Sequence, residues 1–278
     1  MGKAMLSKAK MKYVRSLEQK KFRRQEGAFV AEGTKTVGDL MSVVKPRLVV
    51  ATRQWIDAQD ALPPCELIEV SDEELRKVSF LQHPQQVLAV FPMEVSDKTA
   101  PSDGEELTSD EPDATALAAR WDATALALAL DGVQDPGNLG TIIRIADWFG
   151  IDTIYCSQDT ADAFNPKVVQ ATMGSIARVH IIYCDLRQLL DTLPDDTPVY
   201  GTLLDGENIY RQPLTAHGLI VMGNEGKGIS KDVADRVNRR LLIPNFPEGR
   251  ETADSLNVAV ATAITCAEFR RQNITTNV

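Results

Sequence analysis

Three loops hold the residue types that could do chemistry, and each follows an apolar, strand-like run. The first is Leu130-Asp131-Gly132-Val133-Gln134-Asp135-Pro136-Gly137-Asn138-Leu139-Gly140, which leads into Thr141-Ile142-Ile143-Arg144. Its Asp-Pro-Gly-Asn run reads as a turn, because proline sets φ and glycine or asparagine tolerates positive φ. Asn138 would then face a ligand crevice, with Arg144 one turn into the following helix. The second loop, Met222-Gly223-Asn224-Glu225-Gly226-Lys227-Gly228-Ile229-Ser230, has three glycines in six residues, so backbone can approach a ligand closely. Neither Gly-x-x-x-x-Gly-Lys-Ser/Thr nor Gly-x-Gly-x-x-Gly spacing is present, and Glu225 opposes an anion; a phosphate or dinucleotide cradle is disfavoured. The third begins at Leu242-Ile243-Pro244 and runs through a long loop to Ser255-Leu256-Asn257. There Ser255 reads as a helix N-cap with Asn257 in the first turn. Taken singly, each loop is also compatible with an ordinary connection.

The elements that must position these loops alternate in type. From residue 126 onward, strands are expected at Leu126–Leu130, Thr153–Cys156, Val179–Tyr183, Val199–Leu204, Leu219–Met222 and Leu241–Ile243. Helices are expected near 140–149, 165–177, 186–193 and 231–239, with a last one from Ser255 to about Gln272. Apolar runs separated by helices indicate a parallel sheet covered on both faces, with ligands beyond the strands' carboxyl ends. The first 92 residues read as a smaller α/β domain. It has one helix over 8–24, strands at 29–31, 47–51, 66–70 and 87–91, and helices through Val37 and Leu40, over 54–61, and over 72–78 behind a Ser71/Glu74 capping box. Residues 93–122, with Pro92, Pro101 and Pro112 in or beside them and many acidic residues, read as a linker.

Charge is distributed unevenly along the chain. The net charge is −9, which by itself argues against nucleic acid. Residues 93–122 supply −7 of it, from two basic and nine acidic residues. The first 24 residues have nine basic residues against Glu18 alone. A basic end joined to an acidic connector is compatible with an RNA footprint, and equally with a solvated helix. The four cysteines and three histidines are scattered without Cys-x-x-Cys or zinc-type spacing. No apolar run reaches membrane length and the basic start lacks a signal-peptide core. The expectation is a reduced, metal-free cytoplasmic protein.

In their order along the chain, the three loops resemble the three motifs of the SpoU/TrmH family of RNA ribose 2′-O-methyltransferases, within the SPOUT superfamily. Asp135-Pro136-Gly137-Asn138-Leu139-Gly140 with Arg144 resembles motif 1, Gly223-Asn224-Glu225-Gly226 motif 2, and Ile243-Pro244 with Ser255-Leu256-Asn257 motif 3. Leu17 through Arg24, Gly27 to Val30 and Glu32-Gly33 are similar to the substrate-binding domain often found ahead of this catalytic domain. The resemblance implies an α/β fold: a SPOUT-type parallel-sheet domain with a trefoil knot over 123–278, preceded by a small α/β RNA-binding domain over 1–92. It also implies a homodimer, S-adenosylmethionine as cofactor without a metal, and rRNA or tRNA as substrate. Carried over by motif position, the catalytic group is Asn138, Arg144, Glu225, Ser255 and Asn257. The cofactor contacts are Gly223, Ile243 and Leu256, with Thr202 as a further candidate. Such a set suits alignment of a 2′-hydroxyl and stabilisation of developing alkoxide charge. Arg144 is assigned positioning first and general-base work second, because guanidinium stays protonated. The loop over 245–254 is longer than the family's usual one. The rival readings are a non-catalytic RNA-binding or ribosome-assembly protein, a base methyltransferase, and a nicotinamide oxidoreductase.

Overall fold

The computed structural model describes residues 6–93, 117, 119–247, 250–251 and 253–274. The chain divides into two compact units: Met1–Thr99 with Asp162–Arg178, and Ala100–Ala161 with Val179–Val278.

The first unit opens with α1 (Lys8–Ser16) and α2 (Lys20–Glu26), where the sequence predicts a single helix over 8–24. The break over Leu17–Gln19 follows from burial. Leu17 turns into the core, fully buried, and two of the carbonyls freed there are taken by Arg23, whose Nη1 donates to Leu17 O (2.8 Å) and Glu18 O (2.6 Å). Arg23 is itself buried and its Nη2 meets Asp162 Oδ2 at 2.5 Å. After β1 (Ala28–Glu32) come α3 (Thr34–Met41), β2 (Leu48–Thr52), α4 (Arg53–Asp57), β3 (Glu66–Val70), α5 (Asp72–Val78) and β4 (Val87–Pro92). The sheet order is β1-β4-β2-β3, with only the β2–β3 pair parallel. The expected capping box at Ser71 and Glu74 is formed. Strand β1 is buried along its whole length. One face packs with Val14, Leu17, Val50 and Leu88; on the other, Phe29 stacks on Phe164 with centroids 4.8 Å apart. That second face explains why Asp162–Arg178 folds with this unit.

The acidic stretch 93–122 lies almost wholly outside the described residues. Near its end, Leu117 is fully buried and Trp121 packs against Tyr155, centroids 6.4 Å apart.

The second unit comprises β5 (Leu126–Asp131), α6 (Pro136–Trp148), β6 (Thr153–Cys156), β7 (His180–Tyr183), α8 (Leu186–Thr192), β8 (Val199–Asn208), β9 (Gly218–Gly223), α9 (Lys231–Ala234), β10 (Arg239–Leu242) and α10 (Val258–Asn273). Between β6 and β7 in the chain, α7 (Pro166–Thr172) belongs to the first unit. The sheet order is β10-β8-β9-β5-β6-β7, and every pair is parallel. Leu186, Leu189 and Val233 cover one face; on the other, α6 and α10 pack together and bury Ile142, Ile143 and Phe269. The α/β parallel-sheet expectation therefore holds. Helix α9 stops at Ala234, short of the predicted 239, because the Asn238 side chain takes Val199 N–H (3.0 Å) and donates to Thr197 O (2.9 Å), which turns the chain into β10. Strand β10 pairs with Tyr200–Gly201 and then, after a register jump, with Glu207–Asn208. Gly206 makes this possible, since a Cβ there would overlap the Leu241 backbone.

The buried Arg23–Asp162 pair yields a prediction. Asp162→Ala leaves a guanidinium uncompensated in the interior and should destabilise the first unit by about 3 kcal/mol. Urea denaturation combined with hydrogen exchange in α1, α2 and α7 checks this; unchanged protection there would contradict it.

Candidate active site

Chain order builds a crevice at one place on the sheet edge. From β5 the chain proceeds through β6 and β7 on one side, then crosses to β8, β9 and β10 on the other. The carboxyl ends of β5 and β9 lie side by side, with Asp131 opposite Gly223, so the first two loops leave the sheet together at the topological switch point.

The first loop is a helix start rather than a free turn. Asp135 is the N-cap of α6, its Oδ1 accepting from Asn138 N (2.8 Å), and Pro136 occupies the first helical position, where its missing N–H costs nothing. Asn138 is thus inside the first helical turn. Because α6 begins at Pro136, Arg144 lies more than two turns along it, not one.

Helix α10 begins at Val258, and its N-cap is Asn257, not Ser255. Asn257 Oδ1 accepts from Ala259 N (2.9 Å) and Val260 N (3.2 Å). That fixes its Nδ2 toward Asn138 Oδ1 at 2.9 Å. Asn138 Nδ2 in turn donates to Glu225 Oε1 at 2.9 Å. The polarity is determined at both ends: helix amides require an acceptor at one, and a carboxylate requires a donor at the other. Glu225 also faces the backbone N–H groups of Gln134 and Asp135, each at 3.4 Å. One hydrogen on Asn138 Nδ2 and one lone pair on Oδ1 remain for a ligand.

Three of the predicted catalytic residues, Asn138, Glu225 and Asn257, are therefore brought together. Arg144 and Ser255 are not joined to them: both are exposed, and their side chains make no hydrogen bond or ion pair among the described residues. Two of the predicted cofactor residues lie on adjoining strands and two on the segments that follow β10. Gly223 ends β9, Thr202 in β8 directs its hydroxyl to Val221 O (3.5 Å) and Met222 Sδ (3.7 Å), and Ile243 follows β10. Leu256 precedes the Asn257 cap and is half-exposed. The backbone groups of Ile243 and Leu256 have no hydrogen-bond partner among the described residues. In the long third loop, Asn245 Nδ2 donates to Arg250 O (2.7 Å) and Phe246 is 90% exposed.

Sequence reasoning gave no role to Asn224 or Asp131. Asn224 Nδ2 donates to Gly132 O at 2.6 Å, and Asp131 Oδ2 accepts from Ser230 N at 2.6 Å. The only signal in the sequence was the presence of both inside the loops already singled out.

Other titratable groups of this unit are already engaged or buried. Farther along the sheet edge, Asp159 accepts from the Ser157 hydroxyl (2.6 Å), and the Arg187 guanidinium bonded to Asp185 holds that carboxyl down at about 2. Burial pushes the Cys266 thiol up to about 12 and raises Cys156 as well, so neither is a thiolate nucleophile at neutral pH. Among the described residues no three or more His, Cys, Asp or Glu side chains are gathered so as to hold a metal ion, and no described helix is long and apolar enough to cross a membrane.

Comparison with known proteins agrees with this arrangement. Residues 125–267 match the SpoU rRNA methylase family, and residues 8–89 match the MRM3-like substrate-binding domain. The chain is 32% identical to the 23S rRNA (guanosine(2553)-2′-O)-methyltransferase of Bacillus subtilis, over 94% of this chain and 96% of that protein. A TrmH-family structure from Porphyromonas gingivalis superposes with a TM-score of 0.79 at 38% identity, covering 97% of this chain and all of that one. The AdoMet-bound rRNA methyltransferase of Sinorhizobium meliloti superposes with a TM-score of 0.75 at 28% identity, covering 97% of each chain. With its polar cluster at the switch point and a match to both parts, the chain belongs to the SpoU rRNA methylase family.

Proposed function

We propose that this protein transfers the methyl group of S-adenosylmethionine to a ribose 2′-hydroxyl of RNA, with large-subunit ribosomal RNA as the substrate. The observation that carries the reading is the hydrogen-bonded chain Asn257–Asn138–Glu225 at the carboxyl edge of the sheet. Pure RNA binding has no need of a half-buried carboxylate that orients an amide. The substrate class follows the named relatives, several of which are 23S rRNA 2′-O-methyltransferases.

The residues suit the methyl donor. Ile243 and Leu256 pair apolar side chains with unpartnered backbone donors and acceptors, which is what an adenine ring and its polar edge require. Thr202 and Gly223 would complete that wall. Bound S-adenosylmethionine supplies a methyl group already activated by its sulfonium. The protein's part is then alignment and charge stabilisation. Asn138 offers its remaining N–H and lone pair to the ribose, held in one orientation by Glu225 and Asn257. Arg144, exposed and uncommitted, supplies its guanidinium to the neighbouring phosphate or the developing alkoxide. Ser255, exposed beside Leu256, serves as a substrate contact.

Residues 1–92 act in this reading as the RNA-binding part, 93–122 as the connector, and 123–278 as the transferase. The exposed cations Lys8, Lys12, Lys20, Lys21 and Arg24 on or beside α1 and α2 support RNA contact by the first part. A homodimer is supported by large apolar side chains left in water on the α6 and α10 pair: Trp148 at 84%, Val260 at 49% and Ile274 at 71% exposure. A trefoil knot belongs to this reading through membership of the family alone. The four thiols, none in a disulfide, suit the cytoplasm.

Mapping 2′-O-methylated riboses in total RNA with and without the gene tests the function; one 23S position should lose its methyl group. Arg144→Ala should lower kcat by ~100-fold or more while S-adenosylhomocysteine still binds; normal turnover would remove the assigned role. Replacing Lys12, Lys20, Lys21 and Arg24 with glutamine should reduce the slope of log affinity against log salt by about 3. An unchanged slope would return these helices to a structural role.

A further inference from the structure

Glu225 is not held by its own side chain alone. The residue before it, Asn224, uses nearly all of its hydrogen-bonding capacity inside the loop. Its Oδ1 accepts from Gly226 N (2.9 Å) and Lys227 N (3.0 Å), and its backbone N–H and carbonyl both pair with Gly228 at 2.9 Å. Its Nδ2 leaves the loop and donates to Gly132 O at 2.6 Å. Gly132 is the residue that follows β5, at φ +73, and its own N–H is held by Ser157 Oγ at 2.8 Å. Glu225 therefore sits between a residue tied to the β5 loop and a glycine tied back to that same residue.

We infer that Asn224 is a positioning residue for methyl transfer: by joining the Glu225 loop to Gly132, it sets where the Glu225 carboxylate meets Asn138. This rests on the role given above to Glu225. The geometry makes the amide specific. Aspartate at this position would still accept from two backbone N–H groups, but would set a carboxylate oxygen against the Gly132 carbonyl where a donor now lies. Alanine would lose all three side-chain bonds. The loop would then depend on the Gly228 pairing and on Asp131 Oδ2 holding Ser230 N, leaving Glu225 free to shift. Gly223, the donor-wall residue next to Asn224, would stay in place through the main-chain pairing of Asn224 with Gly228, which needs no side chain, so the effect should fall on turnover rather than on donor affinity.

The test is a double-mutant cycle in the full-length protein, with kcat measured at saturating RNA and donor affinity by titration with S-adenosylhomocysteine. Asn224→Ala and Asn224→Asp should each lower kcat ~100-fold, the scale for misplacing a catalytic group by about 1 Å, with donor affinity changed less than about threefold. In the Glu225→Gln background, adding Asn224→Ala should cost almost nothing more, because residues acting through one another are non-additive. Full additivity, or a loss in donor affinity as large as the loss in kcat, would overturn the proposal while leaving the role of Glu225 standing. Wild-type turnover in Glu225→Gln alone would instead remove the reading on which the proposal rests. Asn224→Asp, which differs from the native side chain only by replacing the amide nitrogen with oxygen, keeps the test decisive if the alanine variant does not fold.

Discussion

The orientation of one amide, Asn138, is the constraint on which the site depends. A primary amide is ambiguous on its own, since a flip exchanges donor and acceptor. Here the ambiguity is removed from both sides. The first amides of α10 claim the oxygen of Asn257, so its nitrogen must point to Asn138, while Glu225 can only accept. Three segments separated by 87 and 119 positions in the chain thereby agree on a single orientation. A ligand arriving at this point meets a donor and an acceptor in fixed places, which is the preorganisation that alignment chemistry requires.

The sheet makes that agreement possible. Because every strand of the second unit is parallel and the chain reverses its lateral direction after β7, the loops after β5 and β9 emerge as neighbours. Helix α10 packs on α6, so the N-cap of one is delivered to the first turn of the other. Close backbone approaches at Gly206 and Gly223, where any side chain would overlap Leu241 or Gly228, let β10 and the Glu225 loop sit where they do. The first unit uses a different device, a buried arginine that satisfies loose carbonyls and recruits Asp162 from far along the chain.

Much of this was legible in the sequence, and the exceptions share a cause. The strands of both sheets are apolar runs whose type is set locally, and the Ser71–Glu74 box declares its helix within four residues. The break between α1 and α2 was not legible, because the group that stabilises it meets an aspartate 139 residues away. For the same reason α7 reads as part of the transferase pattern yet folds with the first unit, by way of Phe164 on Phe29. At the site, Asn138, Glu225 and Asn257 are recognisable as a set, but the cap of α10 is Asn257 and not the expected Ser255. Ser255 is as good a cap as Asn257 by type, and only the start of α10 at Val258 decides between them. Arg144 and Ser255 were named by motif position, and no side-chain hydrogen bond or ion pair among the described residues says what they touch.

The most direct test of the central claim is the chemical position of the transferred methyl group. Purified protein would be incubated with unmethylated large-subunit rRNA and methyl-labelled S-adenosylmethionine, and the RNA then hydrolysed in alkali. A methyl group on a ribose 2′-oxygen blocks cleavage at the adjacent phosphate, so the account predicts label in alkali-resistant dinucleotides. Label recovered in mononucleotides, or no incorporation under conditions where the protein binds the RNA, would contradict it.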